Sequence, residues 1–248
     1  MITRKAAAAL SAGCTVVIKP AAETPLSATA ICELANRAGI PKGVINIVTC
    51  SADRIVGVGK TLTTSPDVKK VSFTGSTGVG KLLMSQAAST VKKVSLELGG
   101  NAPFIVFDDA DVANAVDGCI SSKFRNTGQT CVCVNRIYVQ DKVYDEFTKL
   151  LVEKVKAFKI DSPFSKLTQV GPLINKNAVD KVEKHVQDAV AKGARVLVGG
   201  NRLTKMGENW FEPTVLVNVP TNCLVSSEET FGPVAAVFKF STEEEGTS

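Results

Sequence analysis

Histidine is almost absent from this chain of 248 residues: only His185 occurs. A Ser-His-Asp or Cys-His machine needs an imidazole beside its nucleophile. His185 falls in a lysine-rich amphipathic pattern from Asn177 to Lys192 and reads as a solvated helix position. A general base is therefore sought among the carboxylates. Aromatic residues are few, at 6%, so base-stacking platforms are not expected. No basic run occurs. The 29 Lys and Arg are mixed with 24 Asp and Glu, which argues against a nucleic-acid surface. No apolar run reaches the roughly 20 residues of a membrane helix. No CxxC pair occurs, so no structural zinc site is expected. The seven cysteines are odd in number and mostly single in apolar segments. They read as free thiols in a reducing compartment.

What is present is an ordinary globular composition, 44% apolar and 21% charged. The length suits one or two domains. Met1 to Leu10 carries Arg4 and Lys5 before an alanine run, a leader-like composition without a clear cleavage site.

Strand and helix signals then alternate. Thr15–Ile18, Val44–Val48, Lys70–Thr74 and Val94–Leu98 read as strands. Helices are expected at about 26–38, 52–62 and 79–88. This order implies βαβ units and a parallel sheet, with ligands beyond the carboxyl ends of the strands. A second series begins at Phe104–Phe107. It continues through a helix at 111–124, a polar loop from Asn126 to Gln129, a strand at Arg136–Gln140 and a helix at 144–158. The His185 helix follows, then strands at 194–198, 214–219 and 234–240. The boundary falls near Gly99-Gly100, giving domains 1–98 and 99–248.

Several segments carry possible chemistry. Phe73 to Lys81 is a Gly-rich turn between strand and helix, a shape that presents N–H groups to phosphate. It is nearly a Walker A loop, but Leu82 stands where Ser or Thr should hold Mg²⁺. Alone it is either a phosphate cradle or a tight connection. Lys19 and Glu23 close the first strand and could bond ribose hydroxyls, or simply form a Pro-punctuated turn. Glu97 ends an apolar strand; it is either an edge residue facing solvent or a buried carboxylate, whose pKa burial would raise toward that of a general base. Cys131 and Cys133 follow the polar loop, and at this spacing they lie on one side of an extended chain. They are reactive or buried structural thiols. Glu228-Glu229-Thr230-Phe231-Gly232-Pro233 alone is a charged turn.

Together KPAAETP, FTGSTGVG, LELGGNAP, FRNTGQTC and EETFGPV, in this order, resemble the aldehyde dehydrogenase superfamily over essentially the whole chain. The resemblance implies a partial Rossmann-type parallel sheet followed by an α/β catalytic domain. It implies Cys131 as the nucleophile that forms a thiohemiacetal and then a thioester. It implies Glu97 as the base for hydrolysis and the Cys131 N–H as an oxyanion donor. NAD or NADP would lie on Lys19, Glu23, Gly75, Ser76 and Gly99, with Glu229 on the nicotinamide ribose and Phe231 beside it.

MITRKAAAALSAGCTVVIKP and SKFRNTGQTCVC look most like the succinate-semialdehyde dehydrogenase branch. Arg is well suited to a distal carboxylate, which nominates Arg125 and, by resemblance, Arg4; the alternative for both is plain surface charge. Cys131 and Cys133 could form a short-loop disulfide that blocks the nucleophile. Relatives of this kind imply homo-oligomers and a mitochondrial matrix or cytoplasmic setting.

The family's oxyanion asparagine would precede Met1, and further strands would follow Ser248. The chain is thus expected to be an internal piece. Two alternatives follow, a catalytically incompetent fragment that acts only in binding and, more remotely, a P-loop NTPase.

Overall fold

The computed structural model describes residues 1–247. The chain divides into two compact units, Met1–Gly99 and Gly100–Ser248.

In the first unit the elements alternate. Helix α1 (Ile2–Ser11) leads to β1 (Val16–Ile18), α2 (Pro25–Arg37), β2 (Ile45–Ile47) and α3 (Ile55–Thr64). Then come β3 (Lys70–Thr74), α4 (Thr77–Ala87) and β4 (Lys93–Glu97). Pro25 starts α2 at a position where its missing N–H costs nothing. Gly39 (φ +83°) ends it in a left-handed turn. The four strands form two separate parallel pairs, β1–β2 and β3–β4. The Arg4-Lys5 and alanine stretch, leader-like in composition, is helix α1. It buries Ala6, and Lys5 Nζ donates to Thr74 Oγ1 at 2.7 Å.

The second unit holds β5 (Pro103–Val106), α5 (Val112–Lys123), β6 (Arg136–Gln140), α6 (Asp141–Lys156), α7 (Lys176–Ala191) and β7 (Arg195–Val198). These are followed by β8 (Thr214–Val217), α8 (Leu224–Ser227), β9 (Val234–Phe240) and α9 (Glu243–Thr247). One five-stranded sheet has the order β5-β6-β9-β8-β7. Every pairing is parallel except β7 with β8. β8 is wholly buried and β9 nearly so, as expected for strands covered on both faces. One core packs α5 and α6 on the sheet through Val116, Phe147 and Leu151. The other packs α7 on the opposite face through Val179, Val182 and Val186. Asp111 caps α5 and Asn175 caps α7, each side chain accepting a first-turn N–H.

Among the described residues no helix is long and apolar enough to cross a membrane, and no cluster of His, Cys, Asp and Glu suits a metal ion.

Candidate active site

In the first unit the candidate residues sit at the carboxyl ends of parallel strands, as the sequence implies. Lys19 follows β1, and its Nζ donates to Pro20 O at 2.6 Å. Glu23 is exposed in the turn before α2. Ser76 is the N-cap of α4, its hydroxyl accepting from Val79 N at 3.4 Å. The other first-turn N–H groups of α4 point outward there, where an anion would be stabilised. Gly75 donates its N–H to Glu97 O at 3.0 Å, which ties this turn to the end of β4. A Cβ at Gly75 would overlap the Phe73 ring, so a larger residue here would have to displace that ring. Gly99 is half-buried just beyond.

Glu97 itself is exposed. The expectation of a buried carboxylate is corrected by the strand's period of two. Lys93, Ser95 and Glu97 share one face of β4, while Val94 and Leu96 turn to the other.

The second unit departs from the carboxyl-end rule. Cys131 lies on the segment leading into β6, and Glu229 and Phe231 on the segment leading into β9. Both are at amino ends. β6 and β9 are parallel neighbours, with Arg136 opposite Ala236. Their entering segments therefore run side by side.

The segment before Cys131 is strained and anchored. Asn126 (φ 50°) and Thr127 (φ 58°) are left-handed, a state that costs a β-branched residue on the order of 1–3 kcal/mol. Thr127 is held by Gly171: its hydroxyl donates to Gly171 O at 3.3 Å and accepts from Gly171 N at 3.1 Å. Gln129 accepts from Ile174 N at 2.8 Å. Cys133 N–H donates to Thr130 O at 2.9 Å, so residues 130–133 form a turn. The expected extended chain with both thiols on one side is thereby corrected. Cys131 is half-buried at the turn and Cys133 is buried, its Sγ 3.7 Å from Arg125 O. Both thiols are free. Among the described residues the Cys131 N–H has no backbone acceptor, as is usual at this position of a turn.

Arg125 and Arg4 are exposed. Neither enters an ion pair among the described residues. Phe231 is 39% exposed. Glu229 is half-buried, and its Oε1 is buried with no hydrogen-bond partner among the described residues.

Around Glu229 lies a buried polar network that the motifs did not reveal. Lys123 is wholly buried. Its Nζ approaches Asn135 Oδ1 at 3.4 Å and Thr230 O at 3.5 Å. Burial pushes its pKa down to about 8, opposed by nearby Cys133, Cys119 and Glu229. Burial pushes the Cys119 thiol up to about 12, so it stays protonated. His185, read from sequence as solvated, is 1% exposed. Its Nδ1 lies 2.8 Å from Thr230 Oγ1 and its Nε2 3.4 Å from Glu228 Oε2. Burial, with Lys181 beside it, holds its pKa below the usual range. The neutral ring thus donates from Nε2 to Glu228 and accepts the Thr230 hydroxyl at Nδ1. The signal for both residues was helical spacing. Val112, Val116, Cys119 and Lys123 fall on one face of α5, and Val182, His185, Val186 and Ala189 on one face of α7.

A thiol on a braced turn, next to a carboxylate segment, in a chain carrying the five ordered motifs, marks one enzyme class. Residues 1–248 match the Aldehyde dehydrogenase family, and the chain belongs to it. The phosphate-loop NTPase reading is set aside.

Within the family the relatives are more particular. The chain is 58% identical over 243 residues to the NADP(+)-dependent succinate-semialdehyde dehydrogenase of Escherichia coli, an overlap of 98% of this chain and 50% of that protein. It is 58% identical over 245 residues to the glutarate-semialdehyde dehydrogenase of Pseudomonas aeruginosa, covering 99% and 50%. The crystal structure of succinate-semialdehyde dehydrogenase from Burkholderia pseudomallei superposes with a TM-score of 0.95 at 53% identity, covering 99% of this chain and 50% of that one. The chain spans about half the length of these relatives.

Proposed function

We propose that these residues serve the NAD(P)-dependent oxidation of an aldehyde bearing a distal carboxylate, succinate semialdehyde to succinate. The observation that carries the reading is the Cys131 turn. A half-buried thiol sits on a backbone fixed from both sides, and among the described residues its own N–H has no backbone acceptor.

In this reading the Cys131 thiolate attacks the aldehyde carbon, and a C–S bond forms. The oxygen gains negative charge and accepts a hydrogen bond from the Cys131 N–H. A bound nicotinamide cofactor would supply the hydride acceptor, which would leave a thioester on Cys131. Glu97 takes a proton from water, the water oxygen attacks the thioester, and the acid leaves with the thiol restored. One water is consumed, and one hydride and one proton are released.

Each unit, taken by itself, carries residues that suit a part of the cofactor. The α4 amino end, with Ser76 and Gly75, suits a pyrophosphate, and Lys19 and Glu23 suit the adenosine ribose. Glu229 Oε1, a buried acceptor without a donor, suits a ribose hydroxyl. The Escherichia coli relative's name favours NADP. Arg125 and Arg4, exposed and without carboxylate partners, suit the distal carboxylate. Succinate and glutarate semialdehydes both carry one.

The test is NADPH production by the purified chain from succinate semialdehyde and NADP+. Turnover that Cys131→Ser abolishes supports the reading. A folded chain that binds neither cofactor nor aldehyde overturns it.

A further inference from the structure

Glu229 is flanked on both sides by residues held by one imidazole. His185 Nε2 lies 3.4 Å from Glu228 Oε2, and Nδ1 lies 2.8 Å from Thr230 Oγ1. The second contact joins two buried groups. Thr230 is engaged at every polar atom. Its N–H donates to Asn135 Oδ1 at 3.1 Å. Its carbonyl accepts from Gly232 N at 3.0 Å and faces Lys123 Nζ at 3.5 Å. Its hydroxyl meets His185. The neighbouring Glu229 carboxylate is the opposite case, with a buried oxygen that meets no donor. A segment fixed so completely one residue away from an unsatisfied acceptor is a segment built to aim that acceptor.

We propose that His185, acting through Thr230 and Glu228, is a positioning residue that aims the Glu229 carboxylate at the nicotinamide-side ribose. This rests on the functional reading above, which gives Glu229 its ribose. His185 touches neither substrate nor cofactor. Its burial on the apolar face of α7 is costly for a polar ring unless both nitrogens are used, and both are. The hydroxyl and the carboxylate it meets belong to the segment that carries Glu229, so what its two bonds order is that segment. A gain in core packing alone would be met equally well by the valines that surround it on α7.

The consequence is selective. Loss of the clamp weakens the nicotinamide half of the cofactor and leaves the adenine half alone. The variants are His185→Leu, which removes both bonds at similar volume, Thr230→Val, which removes the hydroxyl, and His185→Asn, which restores an acceptor for Thr230. Two readouts are taken on the full chain. One is the Kd for NADP+ and for adenosine 2′,5′-bisphosphate, which carries only the adenine half. The other is amide exchange of residues 228–232. The expected result is a rise of about tenfold in the NADP+ Kd for His185→Leu and Thr230→Val, with the bisphosphate Kd unchanged. Exchange at 228–232 quickens in both, and His185→Asn recovers most of each loss. A merely structural histidine would shift both Kd values together, and that outcome overturns the proposal, as does an unchanged NADP+ Kd. If the parent chain binds neither ligand, the functional reading fails instead. The clamp is then judged on exchange alone, and unchanged protection of 228–232 in His185→Leu overturns it.

Discussion

Gly128 packs directly on the backbone of Gly232: a Cβ at position 128 would overlap the Gly232 carbonyl. Gly128 also has φ +73°, a conformation that disfavours side chains. The contact locks the Cys131 segment to the Glu229 segment where they enter β6 and β9. Gly128→Ala is expected to lower the stability of the second unit by about 2–4 kcal/mol, combining strain with backbone overlap. Urea unfolding followed by Trp210, the only tryptophan, measures it. A change within experimental scatter would contradict the tight apposition.

Lys123 predicts a pH dependence of stability. An unfolded lysine titrates near 10.4, and this one titrates at about 8 when folded. Between those values the unfolded chain keeps a proton that the folded protein has released, so stability rises with pH. The penalty is fully present below pH 8 and is relieved as pH climbs toward 10. Lys123→Met removes the titration. The unfolding free energy of the variant minus that of the parent is expected to fall between pH 7 and 10 by on the order of 2–3 kcal/mol. A difference independent of pH would contradict a buried ammonium at this position.

Arg125 is the proposed partner of the distal carboxylate. Arg125→Gln is expected to raise KM for succinate semialdehyde by about 10–100-fold, the range for a lost charge-assisted hydrogen bond. Butanal, of the same chain length without the carboxylate, should be unaffected. Steady-state kinetics on both aldehydes separates this role from general damage, which would harm both.

Cys133 limits any disulfide with Cys131. Its buried thiol faces Arg125 O, so pairing requires the Cys133 side chain to leave that contact. Dilute hydrogen peroxide is expected to remove both thiols from titration slowly, reversibly by dithiothreitol. Cys133→Ser should leave no reducible form of this kind. A parent chain that loses no thiols under peroxide would end the disulfide idea.

Much of this organisation was legible in the residues. Alternating β-branched runs and helical patterns gave the order of elements and their parallel pairing, because local periodicity follows burial directly; that the first four strands form two separate pairs rather than one sheet was not visible. The loop before Cys131 stood out by its polarity, while the helix expected from about residue 79 begins at Thr77, with Ser76 as its cap. What escaped was burial of polar side chains. His185 and Lys123 were hidden because a charged or polar residue on an apolar helix face looks like solvated surface until its partners are known. Those partners, Thr230 and Asn135, lie 45 and 12 residues away. Glu97 erred the other way: an apolar neighbourhood in sequence suggested burial, while alternation along β4 turned it outward.

Cys131 is proposed as the nucleophile, presented on a preformed turn. The direct measurement is mass spectrometry of the chain quenched in acid during incubation with succinate semialdehyde and NADP+. The account predicts an acyl adduct on the peptide containing Cys131, absent in Cys131→Ser and accumulating in Glu97→Gln, where hydrolysis is slowed. NADPH formation by Cys131→Ser at the parent rate, or an adduct on another cysteine, would contradict it.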